Sequence, residues 1–219
     1  MIAFVSCVGS PETYARRALP GLHRVGEPGS VAGQVTSESS IFEAYNRALD
    51  HFGALEDLEA LVLVHEDVEL FDRDFGDRIR RALADPQVAI VGAVGARDVD
   101  SLAWWHGEVA GRAFEPRGAL DGGFDEPEVD AVDGLLMALS PWSVRNLRFD
   151  EARYTGFHGY DVDLCFQARE AGRRVVVTEL TLFHHTKGGL GDGDAFQAAN
   201  RSFRAKWGFF PIDLRVAAA

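Results

Sequence analysis

Along the chain, short unbroken apolar runs alternate with stretches in which apolar residues recur every three or four positions. Residues 2–8 ("IAFVSCV"), 59–65 ("EALVLVH"), 88–96 ("VAIVGAVGA") and 173–183 ("RRVVVTELTLF") read as strands, because β-branched and aliphatic runs of this length suit a buried strand. The helical period predicts helices between them. In residues 39–52, Ile41, Tyr45, Ala48, Leu49 and Phe52 share one face behind Ser39 or Ser40 as cap. Ser10, Pro11 and Glu12 supply a cap, a first helical position and a first-turn acid after the first strand. Residues 72–85 and 159–172 read as two further helices, the second with acids in its first turn and Gly172 just past its end. A short helix over 141–147 and a C-terminal helix over 193–209 complete the set. Residues 20–38 are rich in Gly, Ser and Pro and read as a loop. Residues 97–128 show no clean period, and 129–139 mix strand and turn signals.

Strand and helix in alternation predict an α/β fold with a mostly parallel sheet flanked by helices. No break in composition divides the chain, so one domain over residues 1–219 is expected. In such sheets ligands bind beyond the carboxyl ends of the strands, and this makes the residues that end the apolar runs the ones to inspect.

Composition narrows the function. With 219 residues, 47% hydrophobic, the chain can bury a core without covalent staples. A net charge of -12 argues against nucleic acid as the main partner, since a phosphate backbone would be repelled. It is compatible with a nucleotide held through a metal ion, which supplies the missing positive charge. Cys7 and Cys165 lie apart among apolar residues and read as buried free thiols, which fits a reducing, cytoplasmic setting. The N-terminus lacks a basic leader, and no apolar run approaches the roughly 20 residues that span a bilayer.

Three polar clusters end strands or begin helices. His65, Glu66 and Asp67 follow "LVLV"; they form either a surface turn or a site for a divalent cation such as Mg²⁺ or Mn²⁺, with the histidine favouring Mn²⁺ or a softer ion. Asp161 and Asp163 fall in the first turn of a helix, where they complement its dipole or supply a general base. The dipole is expected to lower their pKa and keep them ionised. His184 and His185 end the last strand before a glycine-rich loop. Because neighbours on a strand point to opposite faces, at most one of them enters a given site. Lys187 in that loop either neutralises phosphate or stays solvated. The remaining features are weaker: Asp133 and Gly134 suit a turn, Asn46 beside an apolar helix face is a donor-binding candidate or bonds neighbouring backbone, and Trp104 and Trp105 read as core or as a sugar-stacking platform. There is no P-loop and no GxSxG.

Taken in order, "AYN", "HEDVEL", "VGAVGA", "VDGLLMAL", "GFHGYDVDLCFQAREAGRRVVV" and "FHHTKGG" resemble the family 2-type glycosyltransferases of the Rossmann-like GT-A fold, in particular a short bacterial glycosyltransferase-like branch. The resemblance covers about residues 2–190. It implies a metal-dependent transfer, with inversion, from a nucleotide-diphospho-sugar to an acceptor hydroxyl. The protein would be cytoplasmic or peripheral at the inner membrane. By the same resemblance Asp67 would ligate the metal, with His65 beside it, and Glu66 would face ribose or metal. His184 would reach metal or diphosphate. Asp161 would be the base and Asp163 its substitute. Asp133 and Gly134 would belong to the acceptor-side loop, and Ser6, Val8 and Gly9 would lie near the nucleotide base. Two departures stand out: His65 replaces an aspartate of the family's metal motif, and Tyr160 replaces a glutamate before the base. A module that binds nucleotide-sugar or glycan without transferring it, and a metal-dependent hydrolase, are the alternatives these departures leave.

Overall fold

The computed structural model describes residues 1–36, 40–186 and 193–209. Strand β1 (Ile2–Cys7) leads into α1 (Pro11–Arg16), where the Ser10 hydroxyl caps the first turn by accepting from the Thr13 N–H at 3.2 Å. Helix α2 (Ala18–Val25) follows, then β2 (Val31–Val35), α3 (Ile41–Gly53) and β3 (Ala60–Val64), all five residues of which are buried. Next come β4 (Val68–Leu70), α4 (Phe75–Ala82), β5 (Val88–Gly92) and β6 (Val94–Arg97). A turn of 3₁₀ helix at Trp104–His106 precedes a hairpin of β7 (Glu108–Glu115) and β8 (Gly118–Gly123). Then follow β9 (Glu128–Val129), β10 (Ala131–Val132), β11 (Leu136–Leu139), α5 (Pro141–Asn146), α6 (Tyr160–Glu170), β12 (Arg174–Val177), β13 (Leu182–His184) and α7 (Asp194–Trp207).

The main sheet has the order β2-β1-β3-β11-β5-β12-β9. Five of its seven strands (β2, β1, β3, β5 and β12) run the same way, as the alternation of apolar runs predicts; β11 and β9 run against them. A second sheet, β10-β6-β7-β13-β4 with β8 beside β7, is mainly antiparallel. One apolar core runs through both, including Phe4, Tyr45, Leu61, Leu63, Val91 and Ala138.

The expectations fail where a sheet edge or a close contact overrides local pattern. Residues 20–38 hold the end of α2 and all of β2. Pro20 and Gly21 read as a turn, yet Gly21 lies inside α2 because a Cβ there would stand 2.5 Å from the Leu70 backbone nitrogen. The glycine is what lets α2 press on β4. Residues 97–128, without period in the sequence, form the β7–β8 hairpin, whose edge position leaves β8 largely exposed and glycine-rich. Residues 88–96 and 173–183, each read as one strand, divide between the two sheets as β5 with β6 and β12 with β13. No helix among the described residues is long and apolar enough to cross a membrane.

Candidate active site

After Val64 the backbone turns sharply: the Val68 N–H donates to the His65 carbonyl at 3.2 Å, and the His65 N–H donates to Leu135 O at 3.0 Å. The "HED" segment is therefore a turn, but one facing inward between the two sheets. Strand β13 lies antiparallel to β4 with His184 opposite Val68, which brings His184 alongside Asp67. Strand alternation then separates the two histidines. His184 Nε2 stands 3.5 Å from Asp67 Oδ1, whereas His185 Nε2 stands 3.3 Å from Glu69 Oε2. His65 Nδ1 is 4.0 Å from the same Asp67 oxygen. One ligand atom from each of His65, Asp67 and His184 falls within 4.8 Å of the others. Two imidazole nitrogens and a carboxylate oxygen form a donor set suited to Mn²⁺ or a neighbouring transition ion.

The remote nitrogen of each imidazole is also engaged. His65 Nε2 lies 2.5 Å from the Tyr160 hydroxyl, and His184 Nδ1 lies 3.2 Å from Glu115 Oε1. Glu115 arrives because β7 pairs with β13 through Phe114 and Phe183, so the next residue on each strand meets its counterpart. Burial, with the neighbouring His184 charge, lowers the His65 pKa to about 4, so its ring is neutral. Burial opposes ionisation of Asp67, but the hydrogen bond from His184 and the charges of both histidines prevail and hold its pKa below the usual carboxylate value. His184 is opposed by burial and favoured more strongly by Asp67, Asp133 and Glu115, so its pKa is raised.

Two cavities adjoin this cluster and meet at Trp104, Trp105 and Asp133. One, of about 440 Å³, is walled by Glu115, Arg117 and His184. The other, of about 200 Å³, is walled by His65, Phe157, Tyr160 and Asp161. Asp161 enters from the first turn of α6, its Oδ2 accepting from the Gly134 N–H at 2.9 Å. The expected lowering of its pKa does not hold: burial outweighs the N–H groups of Val162 and Gly134, and the pKa is raised. The Asp133 pKa is also raised, to about 6, by burial and the Asp161 charge. Both carboxylates are thereby stronger bases than in water.

Gly134 has a distinct part. A Cβ there would lie 2.1 Å from the Tyr160 hydroxyl oxygen, which donates to the Gly134 carbonyl at 3.0 Å. Gly134→Ala is expected to displace Tyr160 and destabilise the protein by about 1–3 kcal/mol, the usual range for overpacking. Urea denaturation would measure it.

Other expected site residues lie elsewhere. Asp163 is buried beneath α7, where its carboxylate accepts from Tyr154, Gln167, Lys206 and Trp207 at 2.8–3.0 Å. Four donors and the helix above it leave no path to an acceptor hydroxyl, so Asp163 is a structural anchor and not a second base. Asp163→Ala is expected to cost about 3–5 kcal/mol, because Tyr154, Gln167 and Trp207 would lose their shared acceptor and Lys206 would keep Asp150 alone. A shifted denaturation midpoint would register this. Glu66 is not part of the group formed by His65, Asp67 and His184: its Oε2 accepts from the N–H groups of Gly9 and Ser10, both at 2.8 Å, and ties the β1–α1 loop to the turn after β3. Asn46 does not line either cavity: its amide clamps the Phe149 backbone, donating to the carbonyl at 2.8 Å and accepting from the N–H at 2.9 Å, and it also donates to Glu151 Oε2 at 2.9 Å. Ser6 and Val8 are buried, while Gly9 is exposed at the end of β1. Lys187 lies outside the described residues.

Sequence reasoning missed Glu115 and the contact between Tyr160 and His65. Glu115 ends a strand hidden in the periodless stretch, and no local signal marks it. Trp105, half-buried between the two cavities, stands where a sugar ring could stack; Trp104 is core.

With the site defined, comparison with known proteins is direct. The sequence profile of a family described as "glycosyltransferase like" matches residues 3–187. The streptomycin biosynthesis protein StrF of Streptomyces griseus is 37% identical over 191 residues, covering 86% of this chain and 68% of StrF. Among solved structures, the mannosyltransferase PcManGT from Pyrobaculum calidifontis, in complex with GDP-Man and Mn²⁺, superposes with a TM-score of 0.62 at 15% identity, over 96% of this chain and 64% of that one. GalNAc-T7 with UDP, GalNAc and Mn²⁺ superposes with a TM-score of 0.64 at 9% identity, over 95% of this chain and 49% of that one. At such identities the structures speak for the GT-A fold alone, and the profile carries the family: the chain belongs to the glycosyltransferase-like family.

Proposed function

We propose that the protein transfers a sugar, with inversion, from a nucleotide-diphospho-sugar to an acceptor hydroxyl, in a reaction dependent on a divalent metal ion. The observation that carries this reading is the grouping of His65, Asp67 and His184 within ligand reach, beside a cavity lined by carboxylates and Trp105. The donor set fits such an ion. Asp67 is held ionised, and each imidazole has its remote nitrogen occupied, leaving the inner one directed at Asp67. Bound there, the ion would offset negative charge on the departing diphosphate.

The chain's own groups account for the rest. Asp161, with its raised pKa and its place on the wall of the smaller cavity, takes the proton from the acceptor hydroxyl as that oxygen attacks the anomeric carbon. The Gly134 N–H fixes its orientation. Trp105 supplies an apolar face against which a pyranose ring can lie. Glu66 keeps the β1–α1 loop close to the metal turn, where the donor's nucleotide would rest. PcManGT, solved with GDP-Man and Mn²⁺, and GalNAc-T7, solved with UDP, GalNAc and Mn²⁺, share this fold and support its metal and nucleotide-sugar part.

The test is to incubate the protein with a panel of UDP- and GDP-sugars, with Mn²⁺ or with EDTA, and to follow nucleoside diphosphate release by NMR. Slow Mn²⁺-dependent release from one donor, accelerated by a hydroxyl acceptor, is expected. Donor binding with no release under any acceptor would instead identify a non-catalytic binding module.

A further inference from the structure

The two residues that depart from the family pattern, His65 and Tyr160, touch each other, and their contact has a chemical consequence. The Tyr160 oxygen sits between two partners: Gly134 O at 3.0 Å and His65 Nε2 at 2.5 Å. A carbonyl oxygen only accepts, so the single hydroxyl proton of Tyr160 belongs on the Gly134 side. Were that proton turned toward His65 instead, two oxygen acceptors would face each other at 3.0 Å with nothing between them. The tyrosine oxygen must then accept from His65, so Nε2 carries a proton, and an imidazole that is to ligate a metal holds only that one. The lone pair is left on Nδ1, the nitrogen that points toward Asp67.

We infer that Tyr160 is a positioning residue that selects the Nε2–H tautomer of His65 and so presents Nδ1 to the metal ion. This rests on the metal reading above and adds the device that makes His65 a ligand. The arrangement is built in. Tyr160 is buried, and its ring packs against Phe42, Tyr45 and Phe149 at centroid distances of 5.6–6.4 Å. Gly134 leaves the only kind of space in which the hydroxyl fits, since a Cβ would occupy it. Glu115 does the matching work for His184 by accepting from Nδ1, which leaves Nε2 toward Asp67. The histidine of the turn after β3 and the tyrosine before Asp161 are thus a pair joined by one hydrogen bond.

The experiment uses Tyr160→Phe, which keeps the ring and removes the hydroxyl. Long-range ¹H–¹⁵N spectra of the metal-free protein, with His65 assigned through His65→Gln, should show the Nε2–H tautomer in the unmodified protein. In Tyr160→Phe they should show a mixture with the Nδ1–H form, which can bond Asp67. Mn²⁺ titration followed by electron paramagnetic resonance should show affinity weakened about 10–100-fold, the usual loss when an orienting partner is removed. In a His65→Gln background the same change should have little further effect. An Nδ1–H tautomer in the unmodified protein, or an unchanged tautomer in Tyr160→Phe, would overturn the inference. Failure of the unmodified protein to bind Mn²⁺ would overturn the metal reading, while the metal-free spectra would still decide the part of Tyr160.

Discussion

Asp67→Ala is expected to abolish Mn²⁺-dependent binding of a nucleoside diphosphate and to lower transfer by about 10²–10³-fold. The magnitude follows from a metal's share of transition-state charge stabilisation, several kcal/mol, at 1.36 kcal/mol per factor of ten. Asp67 is the shared vertex of the cluster: both histidines approach the same Oδ1. Its loss leaves two imidazoles and no anionic ligand among the three. The fold should tolerate the change, because Asp67 is half-buried and the turn around it is held by backbone bonds of His65 and Val68. Calorimetric titration of the variant, beside a thermal melt, separates lost binding from lost structure. Retained metal-dependent binding would place the ion elsewhere.

The second large effect is expected at the base. Asp161→Asn should lower the rate of transfer by about 10²–10⁴-fold, the range for a positioned general base. Donor affinity should stay near that of the unmodified protein, since Asp161 enters from α6 and not from the metal turn. Asparagine keeps an oxygen for the Gly134 N–H, so the loop should hold its place. Asp133→Asn is the necessary comparison. Asp133 borders both cavities and its pKa is raised to about 6, so it is the rival for the proton. If Asp133→Asn costs more in turnover than Asp161→Asn while the donor still binds, the assignment of the base moves to Asp133.

How legible was this in the sequence? The buried strands β1, β3 and β5 were plain, because a fully buried strand must be apolar throughout and a run such as "ALVLV" has few other uses. The polar turn of His65, Glu66 and Asp67 was visible as the place where such a run stops. Strand alternation allowed only one of His184 and His185 into a shared site, and the structure turns His184 inward. What stayed hidden depends on contacts between distant segments. Glu115 and Tyr160 find their histidines only once β7 lies on β13 and α6 ends beside Gly134. Asp163 looked equivalent to Asp161 because both sit in the first turn of α6. They differ by two positions, roughly 200° around a helix, so one faces the cavity and the other faces α7. Glu66 and Asn46 show the same limit: each is held by backbone groups of another segment, which no local pattern reveals.

The most direct test of the central claim is calorimetric titration of the unmodified protein with UDP and with GDP, each in Mn²⁺ and in EDTA. At least one nucleotide is expected to bind in Mn²⁺ and to lose that binding in EDTA. No binding of either nucleotide in Mn²⁺, or binding that EDTA leaves unchanged, would contradict it and reduce His65, Asp67 and His184 to a polar turn between two sheets.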